Sequence, residues 1–579
     1  MSCLPYVTVQ HDFPQVFDDV AQGTVAAERI WLSVYALNGP TASIHARLLL
    51  ISGEPERDEH VGQQDGDGGG GVYIAEIKPE NQLTVARVKD APKNLVVSST
   101  FRPAEDSIAP PSTSARHPQQ RIFLPPVHCL APRYTIPYPS STSALRLRKG
   151  VSPHISAFDV SPSGNGLYVA GAADGKCWIG RLPGSTGAPN EAQSKPLVVL
   201  DGHVGDITNA RFFPSGEVVV TTGSDFRVCI FSALPPDDSS APPSTSPPIN
   251  TPVRTLTGHT RAPTATAILG KGRFILSGGR DGYIRCWNVG EAREVGNLPA
   301  SEAVVSSLFP PSIENMILGP DPHAEGRADD NGTGLSEQEE VFPGPFPLLA
   351  VGLSSGEVVI HDLRRCTLGA QTSTNPQSIN KGAPAKPVKV RPSETLCATL
   401  PSPIFPPGPP LDASDPAQAW TSKRHAGAVS SINWDRARHL LIAGYSSGVV
   451  AIHRVRNLIS PQDESTTPVD EVSTSLVAMW KRNEAAITHI ELVPTEDDDT
   501  KTLRIVVTTS DGLACRLRLD VSSSSDLAVP ALETEYIGWE CGDAIGAAKW
   551  VPQQRDGTAK DVQRGRLVLA GAEGVLRLY

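Results

Sequence analysis

Apolar and polar positions alternate along this chain in short runs, and the runs recur. Residues 202–226 read "GHVGDITNARFFPSGEVVVTTGSDF". Two apolar runs, "ITNARFF" and "EVVVTTG", are split by "PSG" and end at a Ser-Asp turn. That is the pattern of strand, turn, strand, turn. Residues 256–290, "LTGHTRAPTATAILGKGRFILSGGRDGYIRCWNVG", repeat it and add a strand ending in Trp. The same rhythm returns at 155–182, 346–364, 425–455, 485–520 and 542–579. Anchored at the second turn, the copies lie at Asp174, Asp225, Asp281, Ser355, Ser447, Asp511 and Glu573. Gly follows every anchor except Asp225, which is followed by Phe226. Successive anchors lie farther apart than the roughly 40–45 residues of a four-stranded repeat. The excess falls in Pro/Ser/Asp-rich segments at 183–196, 235–252, 319–345, 366–418, 457–474 and 494–501. Such composition predicts long disordered inserts between strands.

Composition narrows the class. The 579 residues carry a formal charge of −11, with 53 Pro and 50 Gly. The Pro and Gly imply many turns and long loops. The acidic balance speaks against a nucleic-acid binder and favours basic partners. The nine Cys form no C-x-x-C pair, so a disulfide scaffold or zinc cluster is not indicated and a reducing compartment fits. The N-terminus, "MSCLPYVTVQHDFPQVF", lacks a basic region followed by a long apolar one, so no signal peptide is read. No apolar run approaches membrane-spanning length.

Several strings imitate catalytic motifs. "GLSSG" (352–356) and "GYSSG" (444–448) match G-x-S-x-G around Ser354 and Ser446. A nucleophile elbow needs a helix after the turn, whereas a strand pattern follows both. "GDGGGG" (66–71) contains G-x-G-x-x-G without a βαβ unit around it, so a loop is the better reading. His361 and His453 end strand patterns, and neither has a second ligand at metal spacing. "EDDD" (496–499) reads as a solvated hairpin loop, and "RLRK" (146–149) is too short for a nucleic-acid patch. No nucleophile, base and orienting acid assemble coherently. The chain is therefore expected to be no enzyme, without cofactor or metal. A serine hydrolase is the weakest alternative.

The repeats resemble the WD-repeat family, whose fold is a β-propeller. That resemblance implies an all-β chain: a seven-bladed propeller over 143–579, preceded by a small N-terminal module over 1–142. The family's inner set of His, Ser/Thr, Asp and Trp is complete once, as His259, Ser277, Asp281 and Trp287. His203 and Asp225 supply part of it one repeat earlier. The Trp slot elsewhere holds Gly180, Phe231, His361, His453, Leu517 and Tyr579. Residues 200–290, with "ERIWLS" (28–33) and "LAPRYTI" (130–136), further resemble the proteasomal ATPase-associated factors. These are WD-repeat chaperones of 26S proteasome regulatory-particle assembly. The resemblance implies binding to the C-terminal domain of a base ATPase subunit. It also implies a cytoplasmic and nuclear location, and a monomer outside the complex with no nucleic acid or membrane partner. The alternative within the binding class is an adaptor of another complex, such as a ubiquitin ligase.

Two expectations follow from the resemblance. Tyr579 ends the third strand of the last blade, so "STSALRLR" (141–148), or nearby "RYTI" (133–136), should supply the fourth. The long inserts should all fall on one face, the bottom. The opposite face would then be a docking surface carrying Asp201, Asp206, Phe226, Arg280, Glu302, Glu484 and Asp543. Arg261 and Arg424 make that surface mixed rather than purely acidic.

Overall fold

The computed structural model describes residues 2–36, 42–52, 72–76, 83–88, 91–99, 124–137, 154–183, 196–235, 247–319, 348–363, 387–405, 424–457, 472–495, 501–522, 527–540, 542–551, 565–571 and 574–579. Seven blades surround a central channel, and each has four strands, a to d, from the axis outward. The a strands are Ile155–Val160, Ile207–Phe212, Pro263–Leu269, Ile313–Leu318, Val429–Asp435, Ile487–Val493 and Ile545–Val551. The first six d strands are Val198–Asp201, Arg254–Thr257, Arg293–Pro299, Leu396–Leu400, Val472–Lys481 and Ala531–Tyr536.

The sequence pattern explains the layers. Strands Leu167–Ala172, Phe274–Gly279, Leu348–Leu353 and Leu440–Tyr445 are b strands, covered on both faces by neighbouring blades. All six residues of each are buried. They therefore read as unbroken apolar or small runs rather than as alternation.

Neighbouring blades meet at a recurrent joint. In every blade the a–b ladder shifts register after the first residue of strand a. This β-bulge takes one residue out of the ladder. In four blades that residue is a Ser or Thr whose hydroxyl donates to the first carbonyl of the next a strand. Ser156 reaches Ile207 O, Thr208 reaches Pro263 O and Thr264 reaches Ile313 O, each at 2.5 Å, and Thr488 reaches Ile545 O. Beside the joint, Ile207, Ile313, Val429 and Ile487 fill the space that a Cβ would need at Gly171, Gly278, Gly352 and Gly444. Their nearest atoms would lie only 2.5–2.8 Å from it.

The ring is closed by residues far away in sequence. Tyr134–Pro137 pairs antiparallel with Val575–Leu578, with Tyr134 opposite Leu578 and Ile136 opposite Leu576. This is the expected fourth strand, supplied at the alternative segment 133–136; the first-named segment, 141–148, lies outside the described residues. Other early strands join blades as well. Leu124–Leu130 runs parallel to Ala531–Tyr536, and Ala91–Ser99 and Leu83–Val88 continue that sheet to seven strands. Ser2–Cys3 lies parallel on Val472–Lys481. Tyr6–Val9, Ala27–Ala36, Ala42–Ser52 and Val72–Glu76 instead form a sheet of their own. Helix Phe13–Ala21 covers it through Phe13, Phe17 and Val20. A buried Arg482–Glu535 ion pair sits beneath this sheet, and Glu535 also accepts the Val7 amide at 3.2 Å. A line drawn at residue 142 thus cuts through three sheets.

Two inserts differ from expectation. Within 366–418 lie strand Val388–Lys389, helix Pro392–Thr395, the d strand Leu396–Leu400 and strand Ile404–Phe405. Within 235–252, Ile249–Asn250 pairs parallel with Val198–Asp201. Pairings this short depend on a neighbouring edge being present, which local composition does not encode. Because strand d of blade 4 ends at Leu400, the chain from there to Val429 is a d–a connection. Its described ends, 401–405 and 424–428, meet on the top face, where the Ala426 amide donates to Pro403 O at 3.0 Å.

The closing strand gives a stability prediction. Ile136 is buried in a core shared with Leu576 and Leu578, whereas Thr135 beside it is exposed. Ile136→Ala should cost about 2–4 kcal/mol in urea unfolding. Thr135→Ala should stay within about 0.5 kcal/mol.

Candidate functional site

Among the described residues the b–c turns and d–a connections emerge on one face, the top. Blade 3 shows how the two are tied. His259 Nδ1 lies 3.1 and 3.0 Å from the Asp281 oxygens, and Nε2 lies 2.7 Å from Ser277 Oγ. Trp287 Nε1 donates to the same Ser277 oxygen at 2.8 Å. The carboxylate can only accept, so His259 Nδ1 carries a proton. The Trp N–H can only donate, so the Ser277 oxygen accepts it and bridges Trp287 to His259 Nε2. Every polar atom in this buried chain is satisfied. Blade 2 repeats it with His203, Asp225 at 2.9 Å and Thr221 at 2.8 Å, with Phe231 in the Trp slot. Burial pushes the Asp225 and Asp281 carboxyls up. The histidine contacts and the amides of Val204 and Arg227, and of Thr260 and Tyr283, outweigh it and hold both below the ordinary value.

Other blades reach the same end with other residues. In blade 6, Asn483 stands in the His position and donates to Asp511 Oδ2 at 2.6 Å, while Thr509 donates to Oδ1. In blades 4 and 7 the residue in the Trp slot holds the d–a connection directly. His361 Nε2 donates to Ala300 O at 2.9 Å, and Tyr579 donates to Ile537 O at 2.8 Å. The carboxamide and the direct links were missed in sequence because a His was sought in each repeat.

The docking residues expected from sequence spread around the top in two groups. Asp206 and Phe226 are exposed on blade 2, beside a half-exposed Asp201 whose carboxylate is 3.7 Å from Lys176 Nζ. Arg280 is exposed in the blade 3 turn, close to an exposed Arg261, and Glu302 opens a short helix, Glu302–Ser306. Across the ring, Glu484 is exposed and paired at 2.6 Å with Lys481, and Asp543 is half-buried. The Arg424 side chain lies outside the described residues. Sequence reasoning overlooked three exposed apolar side chains on this face: Val204, Leu308 and Phe309, at 84%, 94% and 90% exposure. The signal was present as "SLFPP" (307–311) within a polar connection.

Phe226 occupies an unusual backbone state. Its φ is 69°, in the left-handed region. The equivalent position holds Gly175, Gly282, Gly356, Gly448, Gly512 and Gly574, with φ between 76° and 88°. A side chain there costs roughly 1–2 kcal/mol, yet Phe226 is 46% exposed and recovers little by burial.

Neither serine motif is an elbow. Ser354 and Ser446 sit in b–c turns followed by strands Val358–Asp362 and Val449–Asn457. Ser354 Oγ accepts the Ser312 amide at 3.0 Å. A cavity of about 410 Å³ opens on the bottom, lined by Arg211, Arg436, Asn433 and apolar residues including Phe212 and Trp434, with no Ser, Cys, His, Asp or Glu. The glycine-rich 66–71 segment lies outside the described residues.

Comparison with known proteins agrees with this geometry. The family described as "WD domain, G-beta repeat" matches residues 194–232 and 250–288. These two stretches are WD repeats. Each spans the d strand of one blade and strands a to c of the next, so the chain folds as a WD-repeat β-propeller. Protein hir1 of Emericella nidulans is 34% identical over 106 residues, covering 17% of this chain and 10% of that protein. The small ribosomal subunit protein RACK1 of Caenorhabditis elegans is 29% identical over 103 residues, covering 17% of this chain and 30% of that protein. The chain thus spans a tenth and under a third of these relatives. WD-repeat proteins typically act as non-catalytic interaction scaffolds, and no enzyme family matches.

Three outcomes test the WD-repeat frame. Trp287 is 1% exposed, and Trp287→Ala should cost about 3–5 kcal/mol. Phe226→Gly should raise stability by about 0.5–1 kcal/mol, since Gly adopts the left-handed region freely. His361 is fully buried, and burial lowers its pKa to about 4. Between the ordinary value and that one the unfolded chain binds a proton that the folded chain refuses, so stability falls as pH falls. From about pH 7 to about pH 5 this histidine should account for a loss of about 2 kcal/mol. His361→Asn should remove that share in urea titrations at the two pH values.

Proposed function

We propose that this chain is a non-catalytic docking platform for assembly of the proteasome regulatory particle. It binds a base ATPase subunit, at its C-terminal domain, through the top of the propeller. The observation that carries the docking reading is Phe226: an exposed aromatic held in a backbone state that six sister blades give to Gly. Strain of this kind persists where an exposed side chain has a use, and aromatics dominate interface anchors. The likeness of residues 200–290, and of the two N-terminal strings, to the proteasomal ATPase-associated factors supports the choice of partner. The exposed carboxylates Asp206, Glu302 and Glu484, with Asp201 and Asp543, suit a basic surface and would govern association rate and salt dependence.

The test is charge reversal of Asp201, Asp206 and Asp543 to Lys together. Binding to purified C-terminal domains of the base ATPases is then measured at low and moderate salt. Affinity should fall by about tenfold or more at low salt and lose most of its salt dependence. Unchanged affinity and salt dependence, with the propeller folded, removes the top face as the site.

A further inference from the structure

The d–a connection between blades 3 and 4 carries a feature that the acidic docking surface does not explain. Leu308 and Phe309 are 94% and 90% exposed, and Val305 is 63% exposed. Single apolar residues on a surface are ordinary. Three within five positions, two of them almost fully in water, form a patch that calls for a partner.

The segment is built to hold them there. On one side Val304 is buried in the core of blades 3 and 4, and its methyl groups fill the space that a Cβ on Gly282 would need. The Ala300 amide donates to Gly282 O at 2.9 Å, and the Ser307 amide closes the short helix on Ala303 O at 3.0 Å. Ser307 Oγ accepts the Phe309 amide at 3.1 Å, a local serine turn. Pro310 and Pro311 then fix the backbone. On the far side Ser312 and Ser354 exchange two hydrogen bonds, at 2.9 and 3.0 Å. Both ends are pinned to the blades, and the two apolar side chains project between them. Little backbone entropy remains to be lost when they are buried.

We propose that Leu308 and Phe309 form a preorganised apolar finger that enters an apolar cleft on a partner protein whose rim is basic. The charge around the base of the finger selects that rim. Glu302 is exposed on the connection itself, and Glu314 and Glu357 are half-buried in blade 4, bonded to Ser312 and Ser355; the exposed Arg261 and Arg280 of blade 3 offset part of this charge. A net negative base faces a cationic rim, while the finger supplies the contact that holds the complex. The inference rests on the docking reading above and adds the anchor that would set the dissociation rate.

The test uses the full chain with Leu308→Ser and Phe309→Ser together, against the same purified ATPase C-terminal domains. Both side chains are almost fully exposed, so the thermal midpoint should not change. Affinity should fall by about 100-fold through faster dissociation, with the salt dependence intact. The pair Leu308→Met and Phe309→Trp should restore it to within about threefold. If the serine variant binds within about twofold of the wild type, the finger is idle and this inference falls, while the docking reading is judged by the charge reversal alone. If the wild type binds none of the domains, both fall. If sedimentation shows the wild type dimerising and the serine variant monomeric, the occupant is a second copy and the proposed partner is wrong.

Discussion

In four of the seven blades one bulged residue ties the blade to the next through a hydroxyl. The a–b register shift frees a side chain at the second position of the innermost strand, and a Ser or Thr there reaches the next blade's first carbonyl. The other three blades differ: in blade 5 the bulged Ser430 donates to Gly444 O of its own blade at 3.2 Å. In blade 4 the tie passes to Asn315, which donates to Ser430 O at 2.7 Å. In blade 7 the bulged residue is Gly546, and a Cβ there would stand 3.2 Å from Ile155 O. A buried hydrogen bond contributes only about 1 kcal/mol net, but an unmade one leaves a carbonyl dry at a crowded axis. The joint therefore sets the spacing and order of the blades more than the total stability. In a repeat structure each unit contacts only its neighbours, so a ring lacks weak ends only when the last joint is made. Tyr134–Pro137 makes that possible by tying an early segment to the final blade.

The rhythm of strands, the positive-φ glycines and the blade 3 His–Ser–Asp–Trp set were legible because each is local. A strand has a two-residue period and a tight turn demands Gly, and His259 finds Asp281 within one repeat. What stayed hidden depends on tertiary adjacency. Asn483 acts where a His was sought, because a carboxamide can also donate to Asp511. His361 and Tyr579 satisfy carbonyls of the preceding d–a connection, which repeat spacing alone does not reveal. Leu396–Leu400 looked like part of a Pro/Ser-rich insert because one strand of five residues hardly changes the composition of fifty. Ser2–Cys3, Val388–Lys389 and Ile249–Asn250 are strands only because an outer edge waits beside them. The docking residues were named one at a time from loop position. The structure divides them between the two sides of the ring and adds Val204, Leu308 and Phe309 on the side that already holds Phe226.

Connection length on the top follows the same chemistry. In blades 2, 3 and 6 a His or Asn of the d–a connection must reach the Asp of the b–c turn. Those connections, 202–206, 258–262 and 482–486, are all short. In blades 4, 5 and 7 no such side-chain tie is seen among the described residues, and the connections run longer: 300–312, 401–428 and 537–544. Among the described residues the a–b and c–d connections on the bottom carry no His or Asn tie to a turn Asp, and loop closure becomes only slowly costlier with length. Long inserts at 319–345, 366–387 and 457–471 are therefore tolerated there. One requirement, that a buried polar side chain find its carboxylate, thus fixes where the top stays compact. The blade 4 connection is free of it and can extend outward. That is where Leu308 and Phe309 stand, and its own anchors, Val304 in the core and Ser312 on Ser354, replace the rigidity that the missing tie would have given.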